Sequence, residues 1–83
     1  MVDITLDATG LRCPMPLLKT KLQIGNMKAG QQLEILATDP GSVRDIPAWL
    51  SYTAHSLVDQ NESDGRYRFV IRIGGQAQSR AAT

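Results

Sequence analysis

Val2-Asp3-Ile4-Thr5-Leu6-Asp7-Ala8-Thr9-Gly10-Leu11-Arg12-Cys13-Pro14-Met15-Pro16 contains a strand, a break and the opening of a helix. Apolar Val2, Ile4 and Leu6 alternate with Asp3 and Thr5, the period of two that marks a half-buried strand over residues 2–6. Ala8, Thr9 and Gly10 end the alternation. Pro14 and Pro16 suit a first helical turn, where an amide hydrogen has no intrahelical partner to lose. A strand that hands over to a helix within a few residues is the opening of an α/β unit, and Cys13 stands at the handover.

The helix is predicted over residues 14–27, stopping before Gly30, with Lys28 near the carboxyl end where a cation is favoured. It carries two apolar stripes. Leu17, Ile24 and Met27 form one, and Met15, Leu18 and Leu22 form the other; one is expected to face a sheet, the other solvent or a partner. Leu33, Ile35 and Ala37 then alternate with Glu34, Leu36 and Thr38, a second strand in which Leu36 implies partial burial of both faces.

Asp39-Pro40 reads as an N-cap followed by proline at the first helical position. Val43, Ile46, Leu50, Ala54 and Leu57 continue at helical spacing, which predicts a second helix over about residues 40–55, bent at Pro47. A weak strand over residues 57–62 and the turn Ser63-Asp64-Gly65 lead into alternating Tyr67, Phe69, Ile71 and Ile73, a hairpin. The expected fold is an α/β, or α+β two-layer, sandwich of order βαβαββ. Its four-stranded mixed sheet has two helices packed on one face, a right-handed first crossover and parallel outer strands. Residues 1–74 form one domain, and residues 75–83, small, polar and aperiodic, form a flexible tail.

Composition narrows the function classes. At 83 residues there is room for a single core, and 42% hydrophobic with 20% charged residues is ordinary for a globular domain. A formal net charge of +1 argues against tight, sequence-independent nucleic-acid binding. No apolar run approaches the roughly 20 residues needed to span a bilayer, so a cytoplasmic location is expected. One cysteine cannot form an internal disulfide, a zinc cluster or a Cys-x-x-Cys redox pair, so chemistry at sulfur must involve another molecule.

A lone cysteine is commonly an inert, buried small hydrophobe. Cys13 instead falls on a strand-to-helix loop, where sites lie in sheets of this kind. A free thiol has a pKa of about 8.5, and a helix N-terminus lowers it; Arg12 adds positive charge, and Pro14 and Pro16 stiffen the turn. Asp7 and Gly10 are expected to shape the loop, Gly10 through a positive φ. A carboxylate next to the thiol would raise its pKa, so Asp7 is a poor general base.

His55 is the sole imidazole, and a capping or surface role is expected for it at the far end of the second helix. Of Trp49 and Tyr52, one is expected to be partly in the core, and Arg44 with Asp45 forms a local pair or faces a partner. Arg66, Arg68 and Arg72 share one face of the last strand, and a solvated face, or one that steers an acidic partner, fits them better than phosphate or RNA binding.

On the run from Leu6 through Cys13-Pro14-Met15-Pro16, on Asp39-Pro40 with Arg44-Asp45-Ile46-Pro47, and on Tyr67-Arg68-Phe69 with Ile71-Arg72, the chain resembles the TusA-type sulfur carriers, also called SirA-like proteins. The likeness covers about residues 4–74. It implies that Cys13 accepts sulfane sulfur as a persulfide from a cysteine desulfurase or a rhodanese and passes it to a further relay protein. In some organisms the route ends in thiolated tRNA; in sulfur oxidisers it feeds dissimilatory sulfur metabolism. It also implies a monomeric carrier with sulfurtransferase-type chemistry, no stand-alone turnover, no metal and no cofactor beyond the covalent sulfur. Some members carry another cysteine near the position of Leu50, and this sequence does not. Two other readings stay open: a docking or regulatory module that uses the Cys-Pro-Met-Pro loop only as a surface, and a thiol peroxidase or disulfide oxidoreductase that borrows its resolving cysteine.

Overall fold

A computed structural model describes residues 2–12 and 14–74. Its elements follow the expected order: β1 (Ile4–Ala8), α1 (Met15–Ile24), β2 (Gln32–Ala37), α2 (Ser42–Leu50), β3 (Ser56–Ser63) and β4 (Arg66–Arg72). The four strands form one mixed sheet in the order β1-β2-β4-β3. β1 pairs parallel with β2, while β4 pairs antiparallel with both β2 and β3, so the two edge strands run in the same direction.

The period-two pattern decides which side chains meet the helices. Leu33, Ile35 and Ala37 of β2 lie opposite Ile71, Phe69 and Tyr67 of β4, and Ile4, Leu6 and Ala8 of β1 extend the same face. From the helices, Ile24 on α1 and Ile46 and Leu50 on α2 join Leu33, Ile35, Phe69 and Ile71 in one core. The opposite face has no helix. There Leu36 is half-buried beside Arg68, as its place in the alternation implied.

Several boundaries differ from the sequence reading, each for a local reason. β1 lies two residues later than expected, because pairing with β2 runs on to Ala8 against Ala37 and buries Ala8 completely. α1 ends at Ile24; Asn26 and Met27 continue only as tighter turns, their amides donating to Gln23 and Ile24. α2 is much shorter than residues 40–55. Its N-cap is Gly41 and has no side-chain bond, while Asp39 and Pro40 form a preceding turn whose carbonyls accept from the amides of Ser42 and Val43. After Leu50 the chain again tightens, with Tyr52 and Thr53 donating to Trp49 and Leu50. Ala54 therefore lies in the following turn and Leu57 in β3, not on a helical stripe.

The β3–β4 hairpin turns at Asp64 and Gly65, with φ of 52° and 77°. Two successive positive φ values are the requirement of the type I′ turn, which Asp-Gly meets. A register shift between Leu57 and Asp59 places a bulge on this edge strand. The tail at residues 75–83, expected to be flexible, lies outside the described residues.

Candidate functional site

The loop that carries Cys13 leaves β1 at the end where β2 also finishes, and it is held there by its own side chains. The Asp7 carboxylate accepts from the Thr9 backbone N–H at 3.0 Å and from the Thr9 hydroxyl at 2.6 Å. Those two bonds hold the Asp7 carboxyl below the ordinary carboxylate range, with Arg66 contributing at longer reach. Asp7 is thus committed to the turn. Gly10 follows with φ of 80°, in the left-handed region that glycine enters without strain, and its N–H donates to the Thr38 hydroxyl at 2.9 Å. The Leu11 N–H reaches back to the Ala8 carbonyl at 3.3 Å, so the loop is tied to the ends of both parallel strands.

Cys13 itself lies outside the described residues, and its two neighbours Arg12 and Pro14 are both exposed. Pro14 is the N-cap of α1. The Met15 N–H donates to the Arg12 carbonyl at 2.8 Å, and Pro14 and Pro16 have no amide hydrogen to offer. Three of the amide positions after the cysteine therefore supply no free donor, and the helix's help to an anion there rests on its dipole more than on direct N–H contacts. Pro16 is fully buried, which seats the first turn of α1 in the interior, and its carbonyl accepts from the hydroxyl of buried Thr20, one turn further along the same helix, at 2.8 Å.

The other residues singled out from sequence are dispersed. His55 sits just before β3, beside the Ser56–Arg72 end of the sheet; the Cys13 loop is at the Ala37–Tyr67 end, about five strand residues or roughly 17 Å away. Its Nδ1 accepts from the Gly74 N–H at 2.9 Å, and burial lowers its pKa. Trp49 is the aromatic that packs on the core, with the Lys21 ammonium 5.6 Å from its ring centre, while Tyr52 is 88% exposed. Arg44 lies 3.9 Å from Asp45 on the surface.

Arg68 is held between Glu34, which it meets in a close ion pair, and Asp59 at 3.2 Å; Arg66 and Arg72 are exposed. An open depression of about 500 Å³, lined by Leu36, Asn61, Ser63 and Arg66 among others, lies on this helix-free side. It faces away from α1. Sequence reasoning missed Thr9 and Thr38, whose hydroxyls hold the loop; an Asp-x-Thr step after a strand is a signal for such a turn, while Thr38 had none. Among the described residues there is no cluster of His, Cys, Asp and Glu suited to a metal ion. No described helix is long and apolar enough to cross a membrane.

A four-stranded mixed sheet of order β1-β2-β4-β3 with two helices on one side is the fold of a SirA-like protein. A solved SirA-like protein from Desulfitobacterium hafniense shares the fold with a TM-score of 0.76, over 88% of this chain and all of that one, at 24% identity. The chain belongs to the TusA family, whose model, described as sulfurtransferase TusA, matches residues 4–73. The sulfur carrier protein TusA of Allochromatium vinosum is 43% identical over 70 residues, 84% of this chain and 92% of that protein. YrkF of Bacillus subtilis, provisionally named a sulfur carrier, is 44% identical over 80 residues, which is 96% of this chain; the chain spans 43% of that protein's length.

Proposed function

We propose that the protein is a cytoplasmic, monomeric sulfur carrier that holds sulfane sulfur as a persulfide on Cys13 and exchanges it with a donor and then an acceptor protein. The observation that carries the reading is membership of the TusA family, with relatives named as sulfur carriers, in a chain whose single cysteine occupies the loop between β1 and α1. The chemistry is a displacement. The Cys13 thiolate attacks the outer sulfur of a donor persulfide; the new S–S bond forms as the donor's S–S bond breaks, and the electron pair leaves on the donor thiolate. No electron is gained or lost overall. Delivery repeats the step with the acceptor thiolate as attacker.

Each residue has a part in that scheme. Arg12 and the dipole of α1 favour the thiolate and the persulfide anion, Pro14 and Pro16 hold the turn, and Asp7 and Gly10 set the approach of the loop. The absence of a second cysteine prevents a neighbouring thiol from discharging the persulfide as an internal disulfide. The donor is a cysteine desulfurase or a rhodanese, and the acceptor is a relay protein leading to tRNA thiolation or to sulfur oxidation.

Intact-mass measurement tests this. After incubation with a desulfurase and cysteine, the protein should gain one sulfur, about 32 Da, which a reductant removes and Cys13→Ser never acquires. An unmodified mass after incubation with competent donors would instead favour a docking module that uses the same loop as a surface.

A further inference from the structure

Among the described residues, Thr20 and Ser42 are the polar side chains buried in the interior, and the fold satisfies only one of them. The Thr20 hydroxyl donates back to the Pro16 carbonyl, the usual resort of a hydroxyl on a helix. Ser42, 2% exposed, makes no such bond, and its hydroxyl meets no hydrogen-bond partner among the described residues. A buried hydroxyl left in that state costs stability, so it points to an acceptor that arrives with another state of the molecule.

Its place in the fold identifies that acceptor. Ala8 and Ala37 are partners at the end of the parallel pair, and α1 and α2 both begin at that end, at Met15 and Ser42. The loop that carries Cys13 is bonded to the same strand end, the Gly10 N–H to the Thr38 hydroxyl at 2.9 Å, while the Ser42 N–H donates to the carbonyl of the next residue, Asp39, at 3.0 Å. The following amides of α2 are also committed, Val43 to Pro40 and Arg44 and Asp45 to Gly41. The Ser42 hydroxyl is therefore the donor that this first turn has left. Asp7, Asp39 and Asp45 place negative charge around this end, against Arg12 and Arg44, with Arg66 reaching Asp7. Carboxylates disfavour a further anion, whereas a neutral donor at the positive end of the α2 dipole favours it.

Resting on the carrier reading, we infer that the Ser42 hydroxyl is the hydrogen-bond donor to the outer sulfur of the Cys13 persulfide. Loading lengthens the Cys13 side chain by one S–S bond of about 2 Å and brings a sulfur anion to the end of the sheet where the hydroxyl is unpartnered. The bond is made to the persulfide anion and not to the thiol, so it lowers the pKa of the loaded group alone. When an acceptor thiolate takes the outer sulfur, the S–S bond breaks, the electron pair returns to Cys13 Sγ and Ser42 is again without a partner. The hydroxyl thus favours the loaded state without adding to the stability of the unloaded one.

The test compares the wild type with Ser42→Ala, which removes the hydroxyl, and with Ser42→Thr, which keeps it; urea midpoints verify that each is folded. Each form is loaded by inorganic polysulfide or by a desulfurase with cysteine, and loading is verified by intact mass. The rate of alkylation by iodoacetamide is then followed against pH for the loaded and the unloaded protein, which gives the apparent pKa of the persulfide and of the thiol separately. Ser42→Ala should raise the persulfide pKa by about one unit or more, Ser42→Thr should return it to the wild-type value, and the thiol pKa should be the same in all three. A persulfide pKa unchanged in Ser42→Ala, an equal shift of thiol and persulfide, or a folded Ser42→Thr that behaves as Ser42→Ala would overturn the inference and leave the carrier reading in place. A wild type that neither polysulfide nor the desulfurase loads would overturn the carrier reading and this inference with it.

Discussion

His55 shows how much one side chain depends on where the chain brings it. Its Nδ1 accepts the Gly74 N–H, so the neutral tautomer with hydrogen on Nε2 is the one the fold uses. Any Cβ on Gly74 would collide with the Ala54 carbonyl, which makes glycine necessary for the approach. Burial lowers the His55 pKa from 6.5. As pH falls through 6.5 the unfolded chain takes up this proton before the folded one does, so stability decreases below that pH. Urea midpoints measured from pH 8 to pH 5 should show this slope. His55→Asn, which keeps an acceptor, should remove the His55 contribution to it; an unchanged slope would mean that the imidazole is not the titrating group. Glu34 has the carboxylate version of the same linkage: Arg68 first, then Thr5, lower its pKa, so its contribution is present at neutral pH and is lost on acidification through the range below 4.5.

At the scale of elements, α2 and α1 use their faces differently. The inward stripe of α2 is Ser42, Ile46 and Leu50. Ile46 is fully buried, and Ile46→Ala should cost about 2–5 kcal/mol through lost transfer energy and the cavity left behind. Ser42 is only 2% exposed, and its hydroxyl has no hydrogen-bond partner among the described residues. Removing an unsatisfied buried hydroxyl relieves its desolvation, so Ser42→Ala should leave stability unchanged or raise it by about 1 kcal/mol. Chemical denaturation of the two variants, expected to move in opposite directions or at least by very different amounts, checks both. α1 keeps a full apolar ridge in solvent, which adds nothing to the core.

For the whole molecule, the sheet order puts β2 and β4 in the centre and leaves β1 and β3 at the edges. The two central strands supply Leu33, Ile35, Ala37, Phe69 and Ile71, all completely buried, whereas β3 is exposed along nearly its whole length and carries the bulge. Local opening requires less energy where few apolar contacts are broken. Amide hydrogen exchange should therefore be slowest in Ile35 and Phe69 and their neighbours, and faster by orders of magnitude along the outer side of β3. Uniform protection across the four strands would contradict this. A domain of this size has a total stability of about 4–12 kcal/mol, so loss of any one central residue removes a large share of it.

The amino-acid sequence alone determined the order βαβαββ, the hairpin at Asp64-Gly65, and the position of Cys13 between the first strand and the first helix. These follow from side-chain period and from the backbone limits of proline and glycine, which act between residues close along the chain. It also offered both stripes of α1 without choosing between them. Only the tertiary structure decided that Ile24 faces the sheet and that Leu22 faces solvent, that Thr38 holds Gly10, that Arg68 is matched by Glu34 and Asp59, and that α2 stops at Leu50. Those outcomes depend on the register between strands about 30 residues apart and on how much chain is needed to enter β3. No local periodicity records either quantity, because each is set by which pairing buries the most apolar surface in the assembled core.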